Sequence, residues 1–315
     1  MKRLLGIDIG GTTCAVCSGH DDATVLSRRE IPSDRGPSEM ISALERHARD
    51  LLQEHGEVDA IGIVCGGPLD AAAGVVLSPP NLPGWDAIPV TDIFGERIGV
   101  PAFLQNDANA GALAEWRHGA GRGSRNLMFC TMGTGFGGGL VLDGKLYEGA
   151  NGNAGEIGHI RLTPDGPVGF GKTGSVEGWC GGSGIARLAR QRVGDHHGHG
   201  RRSTLDQCDP LTAKSVAMAA NRGDELALAI VAEIGEKLGR ALSLTVDILN
   251  LETIVIGGIF VRCEALLRPH MERVMEEECL PHARRVCTVR PAELGERIGD
   301  VAALTVAQYG LEANR

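Results

Sequence analysis

The chain has 315 residues, 46 of them glycine, with 43% hydrophobic, 23% charged and only 3% aromatic residues. That balance is globular, neither disordered nor coiled-coil, and the length points to two domains. A formal net charge of −9 with so few aromatics fits neither a general nucleic-acid binder nor a stacking platform for single strands.

The opening apolar run is broken at Asp8, so no signal peptide is expected, and no stretch is apolar for long enough to cross a membrane. The nine cysteines are an odd number scattered among apolar neighbours, as at Cys65, Cys130 and Cys263. They read as reduced, mostly buried thiols of a cytoplasmic protein.

In chain order, Lys2–Ile9 reads as a strand, Gly10-Gly11-Thr12-Thr13 as a turn and Cys14–Cys17 as a second strand. A third strand is expected over Val25–Ile31. A helix follows from Gly36-Pro37-Ser38, with Met40, Leu44, Ala48, Leu51 and Leu52 at helical spacing. Ala60–Cys65 reads as a buried strand, Pro79–Gly84 as an irregular loop, Pro101–Leu104 as a strand and Asp107–His118 as a short helix. Gly119, Gly121 and Gly123 then punctuate the chain, and the pattern restarts: strand Leu127–Met132, Gly/Thr turn 133–137, strand Gly138–Leu142. This repeats the opening hairpin and implies a duplicated architecture. The expected domains are 1–118, with a C-terminal helix of about 300–315 packing back on it, and 119–299. Helices are expected at Thr212–Arg222 and Glu225–Asn250, and a strand at Thr253–Ile256 ends in Gly257-Gly258 before a further helix. The polar run Asp195–Asp206 reads as a surface loop.

A strand that ends in Gly-Gly-Thr brings backbone N–H groups to a turn without Cβ obstruction, which suits phosphate oxygens. Asp8 is placed to hold a hydrated Mg²⁺, although a plain hairpin turn explains the same residues. The second turn, Gly133-Thr134-Gly135, adds weight, since two such turns can close on one polyphosphate. Gly257-Gly258 can flank an adenosine. Neither a Walker loop nor a dinucleotide fingerprint is present. Asp107 stands at a helix start, where it reads as an N-cap, a general base, or both at once. Glu156 and His159, three apart in a glycine-rich stretch, suit adjacent sugar hydroxyls or are a surface Glu and a packed His. Glu177 accepts from a hydroxyl or favours a helix N-terminus. His196, His197 and His199 with Cys208 read as a solvated loop, not a metal site.

With these residues in view, the chain resembles the ROK family of repressors, open reading frames and sugar kinases over nearly its whole length. Asp8–Thr12 (DIGGT) matches the first phosphate motif, Gln105–Glu115 (QNDANAGALAE) resembles the segment of the catalytic Asp, and Met132–His159 fits the family signature. Ser78–Trp85 resembles the sugar-side loop of glucokinase members. The resemblance implies the α/β actin-like, ribonuclease-H-like ATPase fold, two domains with a cleft between them, closing about Gly119–Gly123. It also implies a homo-oligomer, dimer or tetramer. Asp107 would be the base, with Asn106, Glu156, His159, Glu177 and the Gly66-Gly67 backbone around the sugar. ATP would lie on Asp8, Gly10, Gly11, Thr12, Thr13, Gly133, Thr134, Gly135, Gly257 and Gly258.

Counted back from Glu177, the family's zinc cysteine positions hold Val168, Phe170 and Ser175. A Cys₃His site cannot form, no zinc is expected, and His159 needs another partner to order it. Only seven residues precede Asp8, so the helix-turn-helix of the family's repressors is not expected, nor is DNA binding. The expected reaction is ATP-dependent phosphorylation of a hexose 6-hydroxyl, glucose first, with N-acetylmannosamine or N-acetylglucosamine as the alternative. A sugar-binding sensor without catalysis is the rival from another class.

Overall fold

A computed structural model describes residues 1–313, and the last two positions of the expected C-terminal helix lie outside them. The chain begins with β1 (Arg3–Ile9), β2 (Thr13–His20), β3 (Val25–Pro32), α1 (Pro37–His55) and β4 (Ala60–Cys65). Three two-residue strands, β5 (Leu69–Asp70), β6 (Val75–Val76) and β7 (Ile88–Pro89), form a small sheet ahead of α2 (Val90–Ile98). β8 (Ala102–Asn106) and α3 (Asp107–His118) follow, then β9 (Leu127–Met132), β10 (Phe136–Leu142) and β11 (Lys145–Tyr147). After the hairpin β12 (Val168–Gly169) and β13 (Lys172–Thr173) come α4 (Val176–Cys180), α5 (Gly182–Gly198), α6 (Ala213–Asn221) and α7 (Glu225–Leu249). The chain ends with β14 (Thr253–Gly258), α8 (Ile259–Glu278), α9 (Pro281–Val286), β15 (Thr288–Pro291) and α10 (Ile298–Ala313).

Two compact units form. The first takes Met1–Gly123, Leu146–Ala154 and the segment from Glu293 onward; the second takes Ser124–Lys145 and Gly155–Ala292. In the first, the sheet order is β3-β2-β1-β4-β8. β1 is antiparallel to β2, and parallel to β4, which is parallel to β8. Continuous apolar runs such as Ala60–Cys65, buried at every position, are what a strand covered on both faces requires. One face packs α1 through Met40, Leu44, Ala48 and Leu51, with Trp85 and Phe94. The other face carries α3 and α10 through Val64, Leu113, Val301 and Val306. α10 lies so close that a Cβ at Gly62 would fall 1.9 Å from the Ala303 carbonyl; only glycine admits that approach.

In the second unit the order β10-β9-β14-β15 repeats β2-β1-β4-β8, again with one antiparallel and two parallel pairings. The hairpin repetition read from the sequence is therefore a repetition of sheet topology. α7 packs along α8 and against α4, α5 and α6.

One local expectation changes, and two features were not anticipated. Asp195–Asp206 is not a plain loop: α5 runs on through Gly198, and Thr204–Gln207 forms a 3-10 turn capped by Ser203. His196 and His197 end that helix, where an imidazole meets the unpaired carbonyls favourably, and His197 Nε2 lies 2.7 Å from Asp206 Oδ1. The helix α2 escapes the periodicity because only Val90 and Phe94 are buried in it and Gly95 interrupts it. Trp85 is buried in the core, so the Ser78–Trp85 loop spends its aromatic ring inward.

All nine cysteines are free and seven are buried. Cys14 and Cys17 have a C-x-x-C spacing, yet on a strand three positions apart means opposite faces. Cys14 belongs to the α1 side and Cys17 to the α10 side. Among the described residues no helix is long and apolar enough to cross a membrane, and no three His, Cys, Asp or Glu side chains group as for a metal.

Candidate active site

In the first unit the strand registers set the geometry. Ile9 pairs with Cys65, and Cys65 with Asn106, so Gly10, Gly66 and Asp107 leave three neighbouring parallel strands side by side. The carboxyl edge of such a sheet is where open α/β folds bind ligands. The turn after β1 is tied down by Ser33, whose Oγ donates to the Gly10 carbonyl at 2.6 Å and whose N–H donates to the Thr12 carbonyl at 2.9 Å. Gly11, Thr12 and Thr13 remain exposed. Nothing stands within 4 Å of a Cβ placed on Gly66 or Gly67, so open space faces this edge.

Asn106 is the N-cap of α3, its Oδ1 accepting from Asn109 N at 2.7 Å. The capping role that competed for Asp107 is therefore filled by its neighbour. Asp107 sits in the first turn, its Oδ1 accepting from Ala108 N at 2.9 Å, and its side chain is exposed. The protein around its carboxyl nevertheless raises its pKa above the ordinary carboxylate value, against the pull of the Ala108 N–H.

Behind this pair lies a buried amide relay that the sequence reading did not find. Gln105 Oε1 accepts from Asn106 N at 3.1 Å and Asn109 Nδ2 at 3.2 Å, while its Nε2 donates to Glu148 Oε1 at 2.6 Å. The available signal was a cluster of four polar side chains, Gln105, Asn106, Asp107 and Asn109, joining an apolar strand to an apolar helix.

Asp8 is half-buried, and burial together with the charges of Asp300 and Asp107 pushes its pKa to about 6. Asp300 is held by Arg28 at 3.0 Å and was not expected at this edge. The native state thus binds a proton on Asp8 more readily than the unfolded chain, and stability falls as pH rises from about 4 through about 6. Asp8→Asn should stabilise the ligand-free protein at pH 7 by about 3 kcal/mol and leave it unchanged below pH 4, measured by urea unfolding at both values. Equal midpoints for wild type and variant at pH 7 would contradict the electrostatic account of Asp8.

In the second unit Gly258 pairs with Met132, so the Gly133–Gly135 turn and the Gly257-Gly258 corner are neighbours at the corresponding edge. The turn is fixed by the start of α5: Gly182 N donates to Gly133 O at 2.9 Å and Ser183 N to Thr134 O at 3.0 Å. Gly133 N is spent on Gly135 O at 3.1 Å, leaving exposed Thr134 as the forward group. Glu177, in the first turn of α4, has its Oε2 accepting from Phe136 N at 3.1 Å. A Cβ at Gly135 would come within 2.4 Å of that oxygen, so glycine there admits the carboxylate. Glu177 is thus joined to the glycine turn as well as being a candidate for sugar. Glu156 is exposed and precedes a 3-10 turn over Ile157–His159, whose last residue, His159, is half-buried.

The ROK family model matches residues 4–309. The chain belongs to the ROK family. A glucokinase of Halalkalibacterium halodurans is 34% identical over 94% of this chain and 92% of its own length. An N-acetylmannosamine kinase of Citrobacter koseri is 33% identical over 81% of this chain and 82% of its own. Among solved structures, a ROK glucokinase from Streptomyces griseus in complex with glucose and AMPPNP is 29% identical, with a TM-score of 0.78, covering 97% of this chain and 99% of that one. The fold class follows: the α/β actin-like ATPase fold of two domains, here seen as two ROK units of repeated topology.

Proposed function

We propose that this ROK protein is an ATP-dependent hexose kinase that phosphorylates the 6-hydroxyl of glucose. The observation that carries it is Asp107: exposed, relieved of capping by Asn106, held at the same sheet edge as the Asp8–Thr13 turn, and raised in pKa above an ordinary aspartate. A raised pKa makes a carboxylate a stronger proton acceptor. The 34% identity to a glucokinase across most of both chains supports the sugar.

Phosphoryl transfer depends on positioning and charge stabilisation more than on covalent chemistry. Asp107 accepts the proton of the attacking 6-hydroxyl. Asn106, with its Oδ1 committed to the helix cap, offers its Nδ2 to a sugar oxygen, and the open Gly66-Gly67 backbone leaves room for the ring. Glu156, His159 and the Oε1 of Glu177 take the remaining hydroxyls. Gly10–Thr13, Thr134, Gly135 and the Gly257-Gly258 corner hold the nucleotide. A carboxylate raised to about 6 by burial and then by neighbouring carboxylates gains from a divalent cation, and hard oxygen donors suit Mg²⁺. Asp8, through water, would hold that ion, which supplies neutralisation of phosphate charge. The protein is expected to act as a homo-oligomer.

The second reading is an N-acetylmannosamine kinase, favoured by the 33% identity to the Citrobacter koseri enzyme. ADP release measured with Mg·ATP against glucose, mannose, N-acetylmannosamine and N-acetylglucosamine separates the two. Glucose should give the highest kcat/KM; a higher value for N-acetylmannosamine would replace the sugar and keep the reaction.

A further inference from the structure

His159 has no hydrogen bond to either ring nitrogen among the described residues; its contacts run instead through one short hairpin. The ring of Phe170 meets the imidazole edge-on, with centroids 5.1 Å apart and planes at 78°, the favoured geometry for such a pair. Lys172 Nζ donates to the His159 carbonyl at 2.7 Å. Both residues belong to the β12–β13 hairpin. The same hairpin reaches Glu177: a Cβ at Gly169 would lie 2.4 Å from Gly178 N and 2.9 Å from the Glu177 Cβ. Arg187 anchors it by donating to the Val168 carbonyl.

Phe170 is an odd residue for a hairpin tip. It is 73% exposed, and its φ of +42° lies in the left-handed region, which a bulky side chain rarely enters unless something else fixes it. Nothing in core packing asks for an aromatic there. What the conformation achieves is to lay the ring against His159.

We propose that the hairpin Val168–Thr173 is the positioning device for the sugar-binding face of this unit, Phe170 setting the plane of the His159 ring and Lys172 fixing its backbone. This rests on the reading of His159 as a sugar residue. Both ring nitrogens stay free for sugar hydroxyls while the edge-on contact favours one ring plane, so part of the ordering cost is met before substrate arrives. The hairpin carries no thiolate and needs no metal to do this.

The test uses Phe170→Leu, Phe170→Tyr and Lys172→Met in the full chain. Phe170→Leu should raise the sugar KM about threefold to tenfold, the scale of one aromatic pair, with the KM for ATP within about twofold of wild type. Phe170→Tyr, which keeps the ring, should restore the sugar KM, and Lys172→Met should raise it. In histidine-labelled protein, the ring-current shift of the His159 Cε1–H resonance should vanish in Phe170→Leu and persist in Phe170→Tyr. An unchanged sugar KM in Phe170→Leu, or equal rises in both KM values, overturns the proposal. If wild type takes no sugar, the sugar reading of His159 fails by itself, and the resonance still decides the hairpin's role: an unmoved shift in Phe170→Leu refutes it.

Discussion

Asp107→Asn should lower kcat by about 10²- to 10⁴-fold, the usual worth of a general base, while leaving the fold intact. Asparagine keeps an Oδ1 acceptor for the Ala108 N–H that Asp107 binds at 2.9 Å, and the N-cap is Asn106, which is untouched. The lost function is proton acceptance, so the sugar KM should change much less than kcat. The pH profile carries the same claim. Asp107 is active when ionised and its pKa is raised in the folded protein, so kcat/KM should fall as pH drops through a midpoint above that of an ordinary aspartate, about 4. The variant's residual activity should lack that limb. A variant that keeps more than half of wild-type turnover would show that Asp107 is not the base.

The second large effect is on stability. Glu115 is wholly buried in α3. Its Oε2 accepts from Ala120 N at 2.8 Å and Glu293 N at 3.2 Å, and its Oε1 from Leu294 N at 3.0 Å. One carboxylate thus ties the end of α3 to the returning segment that leads into α10. Glu115→Ala removes the acceptor for the buried Leu294 N–H and opens a cavity beside it. Each orphaned buried donor costs roughly 1–3 kcal/mol, so a total loss of about 3 kcal/mol is expected by urea unfolding. Glu115→Gln, which keeps one acceptor, should lose less. Hydrogen exchange at the Leu294 amide should accelerate in both. A midpoint unchanged in Glu115→Ala would mean that the returning segment is held by its apolar packing through Leu294 and Val301 alone.

How much of this was legible in the sequence depended on the kind of signal. The opening strands and their repetition were legible, because buried parallel strands need unbroken apolar runs and the glycines after Ile9 and Met132 stop them sharply. α1 was legible from Met40, Leu44, Ala48 and Leu51. α2 was not, since two buried side chains make no period. The end of α5 was hidden because Asp195-His196-His197-Gly198 is polar throughout; a helix end facing solvent looks like a loop when only hydrophobicity is read.

At the candidate site, residue types and spacing singled out Asp107, yet that Asn106 is the helix cap shows only in one contact, Asn106 Oδ1 to Asn109 N, which no spacing rule supplies. Gln105, Glu148 and Glu115 were missed for the same reason: their partners are 43 to 179 positions away or are backbone groups. Phe170 was noticed only as a position lacking a thiol, and its contact with His159 depends on a backbone conformation that sequence does not reveal.

The central claim is that this chain moves a phosphoryl group from ATP to a hexose 6-hydroxyl. The most direct measurement is phosphorus NMR of the products after incubating the purified protein with Mg·ATP and glucose. The account predicts ADP and glucose 6-phosphate in equal amounts, with little ADP when glucose is omitted. A folded protein that leaves ATP intact with every hexose tried, or forms as much ADP without sugar as with it, would contradict the account.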